Sequence, residues 1–428
     1  MRRAGARPAT PRLPPPRTSR KNGGVNLGQL AQLRTPAGSA ALAAATEVAG
    51  GDPLAAAAAL RSTGLPADLA AAALTQAELR RRAVGKFGPA AADMFFTRPG
   101  LEQATRQVVA RRRAERLRTS GVRALADLGC GLGADALAAA RTGIRVYGVE
   151  ADPLTAAIAA ANAEATGLAE RFTVDQGDAT TFDLSRVDGV FCDPARRASG
   201  RRVFDPNAYS PPWDFVLSLT ERAPRTVVKV APGLDHALIP PGAEAEWVSV
   251  NGDLVEAALW CGEFATVARR ATVLREGSPT DGSAAARETV HELASSRVTE
   301  APVGPVRRYV YDPDPAVVRA HLVAELAGEL DATLADPTIA YLYADTPTPT
   351  PFARCLEITD VLPFSLKRLR ALLRERRVGR VEIRKRGSAL EPEKLRRDLR
   401  LTGDQPASLV LTRVDGAPMV LICRPTTG

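Results

Sequence analysis

Hydrophobic and polar positions change texture twice along the chain. From Leu27 to Leu117, alanine and leucine recur every three or four residues, interrupted by Gly50-Gly51-Asp52-Pro53 and by Gly64-Leu65-Pro66. That period predicts a set of helices punctuated by turns. Between Arg123 and about Arg270, short Val/Ala/Leu/Ile runs alternate with helical stretches, the mark of βα units on a mostly parallel sheet. Strands are expected at Ala124–Leu128, Arg145–Val149, Phe172–Val174, Gly189–Cys192 and Thr226–Val230. Two more, Glu246–Val250 and Leu254–Trp260, lie close enough in sequence for an antiparallel edge hairpin. A polar stretch over 275–290 reads as linker, and alternating apolar residues return in the last eighty positions. The first 25 residues are proline-rich, basic and without period, and read as a disordered tail.

The expected organisation is therefore a tail over 1–25, a helical domain over 26–117 and an α/β, Rossmann-like domain over 118–274. A linker with a connecting helix over 275–335 and a small α+β domain over 336–428 complete it. Composition narrows the class. Hydrophobic residues are 45% of the 428, enough for globular domains, while aromatics are only 5%. No apolar run reaches 18 residues and no apolar segment follows the charged N-terminus, so neither a spanning helix nor a secretory signal is expected. Cys130, Cys192, Cys261, Cys355 and Cys423 lie far apart, and His236, His291 and His321 share no ligand spacing. A disulfide framework and a bound metal are therefore not expected, and a reducing cytoplasm is.

Charge is local. The net +9 comes from two places: seven basic and no acidic side chains in residues 1–25, and fourteen basic against five acidic in residues 366–400. The remainder is net acidic. Such clustering fits a polyanion footprint, and it fits equally a solvated arginine-rich face.

The strongest chemical signal is Asp127-Leu128-Gly129-Cys130-Gly131-Leu132-Gly133-Ala134-Asp135, where an apolar strand ends at an acid and alternating glycines lead into an alanine-rich helix. Glycines there permit a sharp turn and let a ligand approach bare backbone. The second expected strand ends at Glu150, the third is followed by Asp178-Ala179, and the fourth by Asp193-Pro194-Ala195-Arg196. Four successive strands thus deliver an acid to the edge where open α/β sheets bind ligands. A nicotinamide-binding Rossmann loop would want phosphate at the helix N-terminus. An acid at Asp135 suits a cation better.

Over roughly residues 120–260 this spacing resembles the class I S-adenosylmethionine-dependent methyltransferases. The resemblance implies S-adenosyl-L-methionine as cofactor, with Asp127, Gly129, Gly131 and Gly133 lining its methionine portion. It places Glu150 on the ribose, and Asp178 and Ala179 at the adenine. Asp193 and Pro194 stand where amino-methylating members carry Asp/Asn-Pro-Pro-aromatic, so Asp193 is expected to line the cofactor and orient the acceptor. Ala195 and Arg196 depart from that pattern and remove the usual stacking platform; Trp213, Phe204 or Tyr209 could replace it. Asp-Pro as a simple turn, and Lys229 as a surface lysine or a pocket residue, stay open. Met94–Thr105 resembles the segment preceding the core in the trimethylguanosine-synthase-like group, which implies a cofactor contact from Thr97; plain helix capping explains Thr97 equally well.

The last eighty residues resemble the THUMP-like domain that follows the methyltransferase core in a bacterial family. This implies RNA, of tRNA or rRNA type, as partner. Lys367, Arg368, Arg370, Arg384, Lys385 and Arg386 are the expected phosphate contacts. The combined expectation is a methyltransferase acting on a base amine of RNA. A small-molecule acceptor, and a non-catalytic RNA-binding protein on the same fold, are the alternatives.

Overall fold

A computed structural model describes residues 24–196, 209–277 and 288–426. The chain folds as two compact units, one ending at Ala104 and one beginning at Thr105.

The first unit is helical: α1 (Leu27–Leu33), α2 (Pro36–Val48), α3 (Pro53–Ser62), α4 (Ala67–Phe87) and α5 (Arg98–Gln103). The helices begin where the sequence supplies caps. Asn26 and Gln29 form a reciprocal capping box, Thr35 accepts from Gly38 N, and Asp52 accepts from Ala55 N. Pro36 and Pro53 at the first helical positions lose no hydrogen bond. Leu33, Ala41, Ala45, Leu60, Ala73, Leu79 and Phe96 form its buried interior. Gln76, fully buried on α4, donates to Phe96 O (2.7 Å) and accepts from Phe96 N (2.9 Å), satisfying both ends of its amide.

The second unit opens with α6 (Gln107–Thr119), then β1 (Ala124–Leu128), α7 (Ala134–Arg141), β2 (Arg145–Glu150), α8 (Pro153–Ala165), β3 (Phe172–Gln176) and β4 (Gly189–Cys192). A short ribbon of β5 (Ala195–Arg196) and β6 (Tyr209–Ser210) follows, then α9 (Trp213–Arg222) and β7 (Arg225–Val230). Next come β8 (Glu244–Val250), β9 (Asp253–Gly262), β10 (Arg269–Glu276) and β11 (Glu288–Ser295). Apart from the ribbon, these strands form one sheet in the order β11-β10-β8-β9-β7-β4-β1-β2-β3. Pairs β1–β2, β1–β4, β2–β3 and β4–β7 are parallel, so the glycine loop after β1 sits at the point where strand order reverses.

Three expectations need correction. The β8–β9 hairpin forms but is interior, because β10 pairs parallel to β8 and β11 closes the sheet. All seven residues of β8 are buried, which a strand at a sheet edge would not achieve. The helical stretch expected over 26–117 divides: α6 belongs with the sheet, packing Val108 and Val109 on Val248, Val250 and Leu274. The stretch expected as linker and connecting helix over 275–335 carries strands as well: β11 is the edge strand of this sheet and buries only Leu293.

From there the chain builds a second sheet: β12 (Tyr309–Pro313), α10 (Pro315–Arg319), α11 (Val323–Leu330), β13 (Thr333–Leu334), β14 (Leu342–Ala344) and β15 (Ala353–Pro363). It ends with α12 (Leu366–Glu375), β16 (Val378–Lys385), α13 (Pro392–Leu399), β17 (Gln405–Val414) and β18 (Ala417–Pro425). The order is β13-β14-β12-β15-β18-β17-β16, so this sheet begins at Tyr309, before the boundary expected at 336. Leu369, Leu373, Leu395 and Leu399 of α12 and α13 bury one face against Leu409, Leu411, Val420 and Ile422. Asp415 and Gly416, both at positive φ, turn β17 into β18 as the sequence indicated.

Candidate active site

The site follows from strand register. Asp127 on β1 lies opposite Gly148 on β2 and Phe191 on β4, and Phe191 lies opposite Val227 on β7. Side chains alternate faces along a strand, so Asp127, Phe191 and Val227 share one face, and Asp193 and Lys229 two residues on share it too. The opposite parity, Ala126, Leu128, Cys192, Val228 and Val230, packs into the apolar core of the other face.

Beyond β1 the chain turns tightly. Gly129 N and Cys130 N donate to Val149 O at 2.9 and 3.1 Å, and Gly129, Gly131 and Gly133 all have positive φ. A Cβ on Gly129 would stand 3.0 Å from Asp193 O, and one on Gly133 would stand 2.8 Å from Phe172 Cε1. One on Gly131 would meet nothing within 4 Å among the described residues. Of the three, Gly131 alone faces open space, which is where a ligand can approach the backbone. Glu150 accepts from Gly131 N through Oε2 (3.0 Å) and from Asp152 N through Oε1 (2.9 Å). Those two bonds fix the carboxylate and leave each oxygen a lone pair for a hydroxyl donor. Asp178 caps a single turn over Ala179–Thr181, its Oδ1 accepting from Thr180 N (2.9 Å) and Oγ1 (2.8 Å). Thr97 lies in the helical unit, where its Oγ1 accepts from Gly100 N at 3.1 Å as the N-cap of α5.

Asp193, at the tip of β4, is half-buried and pairs through Oδ2 with Lys229 Nζ at 2.7 Å. Pro194 behind it is buried. Lys229 is no surface side chain: it is 14% exposed and also donates to Thr105 Oγ1 at 3.0 Å. Thr105 Oγ1 in turn donates to Asp135 Oδ2 at 2.6 Å. Arg113, from α6, bridges Asp135 and Glu256 with its two terminal nitrogens and lies 4.7 Å over the Phe191 ring. Burial, with Asp135 and Asp193 adding to it, pushes the Asp127 carboxyl well above the usual range, and its Oδ1 has no hydrogen-bond partner among the described residues. Burial raises Glu256 as well. Burial would also raise Asp135, but Arg113 and Lys229 outweigh it and hold that carboxyl below its ordinary value. Asp135, expected to face a cation in the cofactor, is instead turned onto a cation of the protein.

Sequence reasoning missed Arg113, Thr105 and Glu256. One signal was available: Glu256 stands in a strand of otherwise apolar character, and a buried carboxylate calls for a cation. Trp213 and Tyr209, considered as stacking platforms, are 6% and 4% exposed and pack on each other at 5.8 Å, so neither offers a free face. That is a correction, and its cause is the ribbon β5–β6, which folds Tyr209 back into the core. Phe204 lies outside the described residues.

In the second sheet the six basic residues separate. Lys367 and Arg368 on α12 are exposed and make no ion pair among the described residues. Arg370 donates to Asp398 O from a half-buried position. Arg384 and Arg386 both hold Asp312, and Lys385 pairs with Glu391 at 3.1 Å.

Similarity to known proteins decides the family. Residues 125–198 match the model of a methyltransferase domain, residues 353–425 that of a THUMP domain-like family, and residues 26–83 a domain of unknown function. An uncharacterized S-adenosylmethionine-dependent methyltransferase of Mycobacterium tuberculosis is 34% identical over 363 residues, covering 81% of this chain and 95% of that protein. The chain belongs to the S-adenosylmethionine-dependent methyltransferases. A 23S rRNA (uracil(1939)-C(5))-methyltransferase of Acidithiobacillus ferrooxidans is 35% identical over 109 residues, 24% of either chain. The crystal structure of a candidate methyltransferase from Porphyromonas gingivalis shares the fold, with a TM-score of 0.67 at 20% identity, covering 91% of this chain and 98% of that one. This methyltransferase uses S-adenosylmethionine, and its loop fits that group. Bare backbone at Gly131 admits it, the oriented Glu150 carboxylate suits a diol, and the surplus of carboxylates favours a positive sulfur.

Proposed function

We propose that this methyltransferase acts on RNA, at a base amine of a tRNA or rRNA, with Asp193 orienting the acceptor. Asp127, Gly129, Gly131, Gly133 and Glu150 hold the methionine and ribose parts of the cofactor in this reading, with Asp178 and Ala179 at the adenine. The observation that carries it is the contact of the two half-sites: Asp193 is half-exposed, and its backbone carbonyl abuts Gly129 of the cofactor loop. S-adenosylmethionine supplies a methyl group already activated by sulfur charge, so the protein's task is alignment. Asp193 Oδ1, which has no hydrogen-bond partner among the described residues, accepts an acceptor N–H in this reading, directs the nitrogen lone pair and takes the proton the nitrogen sheds. Pro194 stiffens the turn that sets this direction.

The RNA part draws on the THUMP-like match, on the rRNA methyltransferase relative, and on exposed Lys367 and Arg368. Arg370, Arg384, Lys385 and Arg386 would add phosphate contacts only by giving up present partners. That internal pairing favours a second reading, a small-molecule acceptor. Transfer of a labelled methyl group to bulk RNA from a strain lacking the protein, followed by nucleoside mass spectrometry, tests both. A methylated base appearing only with enzyme supports the proposal, and unlabelled RNA overturns it.

A further inference from the structure

We propose that Lys229 is a positioning residue of the acceptor site: by binding one oxygen of Asp193 it leaves the other as the single proton-accepting oxygen, aimed at the acceptor. The inference rests on the reading of Asp193 as the residue that meets the acceptor.

Register makes the pair intimate. Cys192 of β4 is paired with Val228 of β7, so the next residues, Asp193 and Lys229, emerge side by side on the same face. Nζ reaches Asp193 Oδ2 at 2.7 Å and Thr105 Oγ1 at 3.0 Å. The hydroxyl is itself held by Asp135, which Arg113 holds in turn together with Glu256. The ammonium is therefore tethered to a buried framework of α6, α7 and β9, whereas the Asp193 carboxylate stands on a strand tip at the open side. A lone carboxylate on such a tip would rotate between equivalent oxygens. An ion pair with a buried, preorganised lysine selects one rotamer. Asp193, Asp135 and Glu256 surround the ammonium and keep it charged despite burial. In that state it is a donor and not a base, which suits orientation rather than proton removal.

The test compares wild type with Lys229→Met, Lys229→Arg and Thr105→Val as full-length proteins. S-adenosylhomocysteine binding is followed by calorimetry, methyl transfer to bulk RNA by label, and the Asp193 carboxylate by crystallography with S-adenosylhomocysteine bound. Misplacing a reacting group by about 1 Å costs on the order of 100-fold in rate. Lys229→Met is expected to lose kcat on that scale with KM for RNA and affinity for S-adenosylhomocysteine unchanged, and to show Asp193 rotated. Lys229→Arg should recover most of the rate. Thr105→Val, which removes the tether and keeps the charge, should lose less in the same direction and serves if Lys229→Met does not fold. An Asp193 carboxylate in its original place in the Met variant overturns the proposal. So does a loss of cofactor binding and melting temperature that Arg does not restore. Should wild type label no RNA, the RNA reading fails, and the crystallographic comparison still decides the role of Lys229.

Discussion

Adding one methyl group at Gly131 separates ligand binding from folding more cleanly than any other change in the glycine loop. Gly131 has φ of 55°, so Gly131→Ala bears the left-handed penalty of about 1–2 kcal/mol. The new Cβ meets nothing within 4 Å among the described residues, and the Gly131 N–H still donates to Glu150. The fold should therefore lose about that penalty and no more. In the proposed placement of the cofactor the methyl group points into the space the ligand uses to reach the backbone. Displacing the ligand at a cost of about 2 kcal/mol raises its dissociation constant about 30-fold. Gly133→Ala provides the contrast. Its Cβ would lie 2.8 Å from the buried Phe172 ring, so an overpacking cost of about 1–3 kcal/mol adds to the same backbone penalty. Urea unfolding and calorimetric titration with S-adenosylhomocysteine, run on both variants, should show Gly131→Ala losing only that backbone penalty of about 1–2 kcal/mol in stability but weak in binding. Gly133→Ala should be the less stable of the two. Native affinity in Gly131→Ala would refute the assignment of this loop as the approach to the cofactor.

Acid stability should depend on Glu244. Burial alone would raise its carboxyl, but hydrogen bonds from Arg116 and Arg270 override that and bring it from 4.5 down to about 2. A depressed carboxylate stabilises the fold fully above its unfolded value, and the gain is lost as pH falls from 4.5 through about 2. Glu244→Gln should flatten urea midpoints across that window and lower them at neutral pH; parallel curves would contradict this. Asp127 has the opposite sign, since its raised carboxyl costs stability as pH climbs above the ordinary carboxylate range. Asp127→Asn should gain stability relative to wild type more at about pH 8 than at about pH 4, measured the same way. For RNA, the Lys367→Glu, Arg368→Glu double variant should lower the salt slope of filter binding by about 2 while leaving melting unchanged. An unaltered slope would remove these two side chains from the interface.

How far the sequence carried depended on what each element is made of. The parallel strands were legible because apolar runs ending in Asp127, Glu150 or Cys192-Asp193 leave little choice of start or stop. Gly189–Cys192 falls where its apolar run puts it, and the helix Pro392–Leu399 starts at a proline in the first helical position. β10 and β11 were not legible as sheet, because Arg269, Arg270 and Arg275 interrupt the apolar pattern of the first and the second, mostly polar and with Leu293 alone buried, shows no period-2 pattern. Only pairing reveals them, β10 with the fully buried β8 and β11 with β10. At the site, the acids could be placed from the strand tips, since a tip position follows from strand length alone. Their partners could not, because Arg113 comes from a helix upstream of β1 and Glu256 from a strand two elements past Lys229. That information lies in the register of β4 with β7 and β7 with β9, which a single sequence does not print.

The charge around Lys229 bears on the proposed binding of the sulfonium donor at this edge. Asp127, Asp135, Asp193 and Glu256 stand against Arg113 and Lys229, four acids to two cations, on one face of one sheet. Burying unpaired carboxylates is unfavourable, and the fold answers by letting Asp127 and Glu256 rise toward the neutral form while the cations keep Asp135 ionised. That leaves Asp135 and Asp193 facing Arg113 and Lys229, and Glu150, held by backbone N–H groups, adds a further acid beside the loop. A positive sulfur lowers the energy of that arrangement. With the cofactor placed as proposed, the product is neutral once its methyl group has gone and the gain disappears, so the same acids would draw the donor in and help the spent cofactor leave. Removing one of the two protein cations would therefore sharpen the preference for the charged donor over its demethylated product, even as it weakens the fold that presents it.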